Sequence, residues 1–140
     1  MNANTITSPA HNGTAADVVA FWRAAGRERW FRKDAAFDDE FRTRFAAEHE
    51  AAAHGALAAW AEHAEGALAL LILLDQYPRN SFRGTPRMFA TDAQARSVAD
   101  AALARGFDAE VEPALRQFFY LPFMHSENLA DQDRAVALYR

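Results

Sequence analysis

The 140-residue chain contains no cysteine. Disulfides and thiolate metal centres are therefore excluded, and a reducing, cytoplasmic setting is the expectation. Lysine is nearly absent too, with Lys33 as the single example. The other positive charges are scattered arginines, and 15 basic residues face 19 acidic ones for a formal net charge of −4. No concentrated basic face exists to neutralise phosphates, so nucleic acid is not an expected partner. Long apolar runs are also missing. The longest, Ala67 to Leu74, spans about eight residues against the roughly 20 of a membrane helix, so no membrane partner is expected. Residues 1–13 lack the basic block and following apolar block of a secretory signal. They read as a flexible tail ahead of a single helical domain over residues 14–140. No segment has the period-two alternation of a half-buried strand.

Apolar and aromatic residues are plentiful. Hydrophobic residues make up 51% of the chain, with 11 Phe and 3 Trp, which is enough for a real core in one domain. Their spacing is helical. Thr14 and Asp17 form a capping pair for a first helix that carries Val18, Val19, Phe21 and Trp22 and stops near Gly26. Trp30 and Phe31 follow in a short linker. Asp34 caps a second helix whose Phe37, Phe41 and Phe45 recur at i, i+4 and i+8, and Gly55 marks its end. Leu57 and Trp60 anchor the next turn. A third helix, from about Glu65 to Tyr77, has no polar face and should be the central one. Pro78 is expected to end it, because proline disfavours helix in the residue before it. Thr91 and Gln94 read as a capping box for a fourth helix ending at Arg105 and Gly106. A fifth opens at Asp108 or Glu112 and reaches Tyr120 ahead of Pro122. A sixth begins near Ser126 and continues to Arg140. The expected fold is all-α, with about six helices in an antiparallel helical-hairpin array or bundle.

Two stretches place polar groups where burial is expected. The first is Leu74-Asp75-Gln76-Tyr77-Pro78-Arg79-Asn80. Asp75 follows the most apolar part of the chain and sits at a helix C-terminus, so burial and the helix dipole both oppose its charge. Arg79 and Arg83 are near enough in sequence to offset this. Asp75 is then either a structural ion pair clamping the helix end, or part of a pocket with Gln76, Arg79 and Asn80. The second stretch runs from Arg116 to Glu127. Arg116 and Tyr120 share a helix face. His125 and Glu127 flank Ser126, the expected N-cap, where a helix N-terminus favours anions and an acid–base histidine. The plain alternative is a cap and a histidine bonded to a carbonyl. Trp30 and Phe31 are core candidates beside Lys33, which adds a cation to the pocket. No HExxH, paired Glu-x-x-His, GxGxxG, P-loop or GxSxG string occurs, and Glu50–His54 and Glu48–His49 lack a metal-site pattern, so no metal or cofactor is expected.

Taken in order, several strings resemble the mostly bacterial "domain of unknown function 924" family. They are Trp30-Phe31 with Lys33-Asp34, Phe37-Asp38, Arg44-Phe45, Asp75-Gln76-Tyr77-Pro78-Arg79-Asn80, Phe89-Ala90-Thr91-Asp92 and Tyr120 through Glu127. The resemblance implies an all-helical, tetratricopeptide-like fold and brings no established activity. It also implies a longer chain with a second aromatic-Pro-His-Arg-Asn-like string, and hence apolar surface here for a partner or a second copy to cover.

Three functional classes follow. One is a pocket for a small anionic ligand or peptide built from Lys33, Gln76, Arg79, Asn80, Arg83, Arg116, Tyr120 and Glu127, with His125 and Asp75 as acid–base groups if it is an enzyme. The second is a protein–protein interaction module with a groove between helices. The third is a purely structural polar network.

Overall fold

The structure is a computed structural model that describes residues 13–139. The expected tail and Arg140 lie outside the described residues, except for Gly13. Regular structure among the described residues is helical throughout. It comprises α1 (Ala15–Ala25), α2 (Arg27–Trp30), α3 (Ala35–Ala53), α4 (Ala64–Leu71), α5 (Tyr77–Ser81), α6 (Asp92–Ala104), α7 (Gln117–Met124) and α8 (Leu129–Tyr139). Short tighter turns join several of them. Each of the six expected helices has a counterpart, and α2 is an additional single turn.

The N-terminal half packs on aromatic rings. Thr14 and Asp17 form the anticipated reciprocal cap of α1, at 3.2 and 2.9 Å. Asp34 accepts the Phe37 amide at 3.0 Å and starts α3. The stripe of Phe37, Phe41 and Phe45 is buried against Phe21, and the first two also against Trp22. Each such ring removed from water contributes about 1.5–3 kcal/mol. Trp30 is not a linker residue. It closes α2, is buried, and its indole N–H donates to the Trp22 carbonyl at the end of α1, 2.7 Å away. The same carbonyl also accepts the Gly26 amide, at a longer 3.4 Å, so the indole reinforces the last turn of α1.

The central helix corrects the sequence reading. It does not end at Pro78 but continues over residues 64–81 through one wide turn, Ile72–Gln76. There the Tyr77 amide reaches back five residues, to the Ile72 carbonyl. In that register residue 78 would serve Leu73, and proline has no N–H to give. His49 on α3 supplies the bond instead, with Nδ1 donating to the Leu73 carbonyl at 2.9 Å. Thr91 Oγ1 donates to the Leu74 carbonyl at 2.6 Å, and Arg79 donates to the Asp75 carbonyl at 3.0 Å. Three successive carbonyls are thus satisfied by side chains, which is why the proline is accommodated. The same bond corrects the expected capping box: Thr91 occupies the N-cap position of α6, but its hydroxyl is committed to Leu74 and caps nothing.

The C-terminal half departs in the same manner. Pro122 lies inside α7 rather than beyond it. It deprives one carbonyl of a donor, and the burial of Phe118, Phe119 and Phe123 on both sides keeps the helix going. The start of α8 is fixed by Asn128, whose Oδ1 accepts the Ala130 amide at 2.8 Å, and not by Ser126. No helix of the described residues is long and apolar enough to cross a membrane.

Two outcomes are expected. A Cβ on Gly66 would overlap the Trp60 carbonyl, which is backbone and cannot swing away. Gly66→Ala should therefore cost about 3 kcal/mol or more in urea unfolding. Burial holds the His49 imidazole below its ordinary pKa, with the bond to Leu73 only partly opposing it. The unfolded chain then binds the proton first, so this contribution to stability is present at neutral pH and lost as pH falls below about 6.5. The loss between about pH 7 and about pH 5.5 should shrink in His49→Asn, which retains a donor for Leu73. Equal losses in both proteins would count against a buried neutral His49.

Candidate functional site

The wide turn places Asp75 in the interior, 1% exposed. A carboxylate there is tolerable only with strong partners, and it has three. Oδ1 accepts from Arg79 at 3.0 Å and from His125 Nδ1 at 2.9 Å, while Oδ2 accepts from the Gln76 amide at 2.9 Å. Arg79 lies one helical turn further on and bridges to α6, donating to both carboxylate oxygens of Asp92 at 2.8 and 3.0 Å. Asp92 occupies the first turn of α6, where the helix dipole favours a negative charge. Burial opposes the charge on Arg79, but the bonds it donates to Asp92 and the attraction of both carboxylates raise its pKa above the ordinary arginine value. This guanidinium is charged and paired with two carboxylates.

His125 ends α7 rather than sitting at the start of α8, so it is not at a helix N-terminus as the sequence suggested. An ionised carboxylate only accepts, so the proton shared with Asp75 resides on Nδ1. Nε2 has no hydrogen-bond partner among the described residues, and the side chain is 24% exposed. The ring borders a cleft of about 440 Å³. Phe89, Asp92 and Arg96 form one wall of the cleft, and Ser126, Glu127 and Asn128 of the α7–α8 connection form the other. Ser126 is no nucleophile for His125. Its hydroxyl donates to Asp131 at 2.8 Å and accepts the Asn128 amide at 3.1 Å.

The candidate residues therefore separate into groups. Asp75, Gln76, Arg79 and His125 form one bonded cluster, with Glu127 lining the cleft beside it. Asn80 and Arg83 belong elsewhere: both donate to Asp38, at 3.1 and 3.2 Å, and clamp α5 to the start of α3. Arg116 donates to the carbonyls of Val111 and Ala109. Tyr120 donates to Asp108 at 2.8 Å, and burial together with that carboxylate pushes its pKa up to about 12. These two line a separate cleft of about 530 Å³ with Arg27 and Tyr139. Lys33 is exposed at the start of α3 and joins none of these bonds. Sequence reasoning missed Phe89, Asp92 and Arg96. The i, i+4 spacing of Asp92 and Arg96 was a usable signal that they share a face of α6. Phe89, an exposed ring on a loop, belongs to the Phe89-Ala90-Thr91-Asp92 string, but nothing in that string points to a cleft. Among the described residues, no three His, Asp or Glu side chains gather as a metal site would require.

Comparison with known proteins gives relatives but no activity. Residues 18–140 match the family model described as "Bacterial protein of unknown function (DUF924)". A solved structure of a protein of unknown function from Agrobacterium tumefaciens is 56% identical and superposes with a TM-score of 0.87. The match covers 89% of this chain and 70% of that one. No curated protein matches.

The geometry ranks the ion pairs. Asp75→Asn removes a buried charge from Arg79 and His125 and should cost about 3 kcal/mol or more. Arg83→Ala breaks a half-exposed pair with Asp38 and should cost less than about 1 kcal/mol. Chemical denaturation of both variants checks the order; equal costs would contradict it.

Proposed function

The chain belongs to the bacterial DUF924 family of unknown function, and we propose that this member binds a small carboxylate-bearing ligand in the cleft beside His125 and exchanges a proton with it. The observation that carries this reading is the 2.9 Å bond between Asp75 and His125. A buried carboxylate holds one ring nitrogen in a fixed tautomer while the ring itself reaches an open cleft. That is the arrangement by which an acid orients a general-base histidine and offsets the charge formed when it takes a proton. Asp75 acts on His125, and Arg79 acts on Asp75; both are positioning residues. The cation available to a ligand is Arg96, since Arg79 is spent on two carboxylates and Arg83 on Asp38. A guanidinium presents a planar fork of donors suited to a carboxylate. At about 440 Å³ the cleft falls in the size range of small-molecule sites.

The test uses 3-phenylpropionate at millimolar concentration. It is expected to raise the melting temperature and to move the His125 ring nitrogen resonances, and both effects should fall at least tenfold in Arg96→Gln. In His125→Asn the stabilisation should weaken while the fold persists. An unshifted His125 ring, or the same stabilisation in Arg96→Gln, would overturn the reading.

A further inference from the structure

The cleft also contains two opposite charges that the protein leaves apart. Arg96 projects from α6 and Glu127 from the α7–α8 connection, and both line the same space. Among the described residues neither forms an ion pair, whereas their neighbours are committed: Arg79 to Asp75 and Asp92, and Asp131 to Ser126. Phe89 lines the same cleft and is 58% exposed, with its ring 5.9 Å from the Arg79 guanidinium. A large ring held in water on a cleft wall is apolar area that a ligand can cover.

The net charge of the site narrows the choice. Among the side chains of fixed charge, the cations Arg79 and Arg96 are outnumbered by Asp75, Asp92 and Glu127. A dianionic phosphate would add to that excess in a partly enclosed space. A zwitterion adds no net charge and satisfies both unpaired groups.

Resting on the carboxylate reading above, we infer that the ligand is a free α-amino acid with a large apolar or aromatic side chain. Its carboxylate pairs with Arg96, its ammonium with Glu127, and its side chain covers Phe89. The assignment deepens the site by adding two recognition elements, Glu127 and Phe89, that a simple carboxylate would not need.

Calorimetric titration of the full chain with four probes tests it: L-phenylalanine, 3-phenylpropionate, phenethylamine and inorganic phosphate. L-Phenylalanine is expected to bind at least tenfold more tightly than either singly charged analogue, with phosphate weakest. Glu127→Gln should bring L-phenylalanine down to the level of 3-phenylpropionate while leaving the latter undiminished. Phe89→Ala should weaken both. These side chains are exposed, so circular dichroism should show an unchanged fold. Equal affinity for L-phenylalanine and 3-phenylpropionate, or no effect of Glu127→Gln, overturns the amino-acid assignment. If 3-phenylpropionate still binds through Arg96 in that case, the carboxylate reading stands. If none of the four binds, both readings fall.

Discussion

The buried carboxylate of Asp75 is the interaction on which the site depends. It is 1% exposed and meets donors from its own helix and from α7, while Arg79 ties it on to α6. Left unpaired, such a charge would be costly enough to threaten a domain whose total stability is of the order of 5–15 kcal/mol. Its position therefore obliges two helix ends and the middle of the central helix to meet. The meeting point brings together the end of α7, the start of α6 and the wide turn of the central helix, and the cleft opens beside it.

The wide turn is the backbone counterpart of that charge. A regular helix would have no reason to expose the carbonyls of residues 73, 74 and 75. Pro78 and the five-residue register free them for side chains to serve, and His49, Thr91 and Arg79 do so from different parts of the chain. The bonds from His49 and Thr91 come from other elements, so the irregular segment is also where helices are fastened to one another. Turns of this kind recur at functional sites because they re-aim side chains that a regular helix would direct elsewhere. Here they present Asp75 to His125.

Much of this was legible from local patterns. The caps at Thr14 and Asp34, the phenylalanine stripe of α3 and the apolar run of α4 follow from spacing and side-chain chemistry alone, and they appear where expected. The errors have a common cause. Local rules make Pro78 and Pro122 stops, and Thr91 and Ser126 caps, and those rules hold when a segment answers only to its neighbours in sequence. At Pro78 and Thr91 a partner remote in sequence outweighs the local preference, at Pro122 burial on both sides does, and at Ser126 the neighbouring Asn128 takes the cap. The freedom of the candidate cations follows the same logic. Arg79, Arg83 and Arg116 were correctly seen as charges near buried segments, but whether a charge is free depends on which carboxylates and carbonyls it meets. Only Arg96, which no motif singled out, lines the cleft without an ion pair among the described residues.

The sequence by itself determined the all-helical class, most helix starts, the aromatic core and the two polar stretches that hold Asp75 and His125. Those features are set by periodicity, capping chemistry and the cost of burying charge, all of which act over a few residues. The tertiary structure decided which of the polar residues meet. Asp75 and His125 are 50 positions apart, and the bond between them exists because the wide turn and the end of α7 pack against the same core. It likewise separated Arg116 and Tyr120 into a different cleft and brought Arg96 and Glu127 to face one space. Hydrogen bonds and ion pairs are short-ranged, so the partners of a buried charge are fixed only once the helices that carry them are packed.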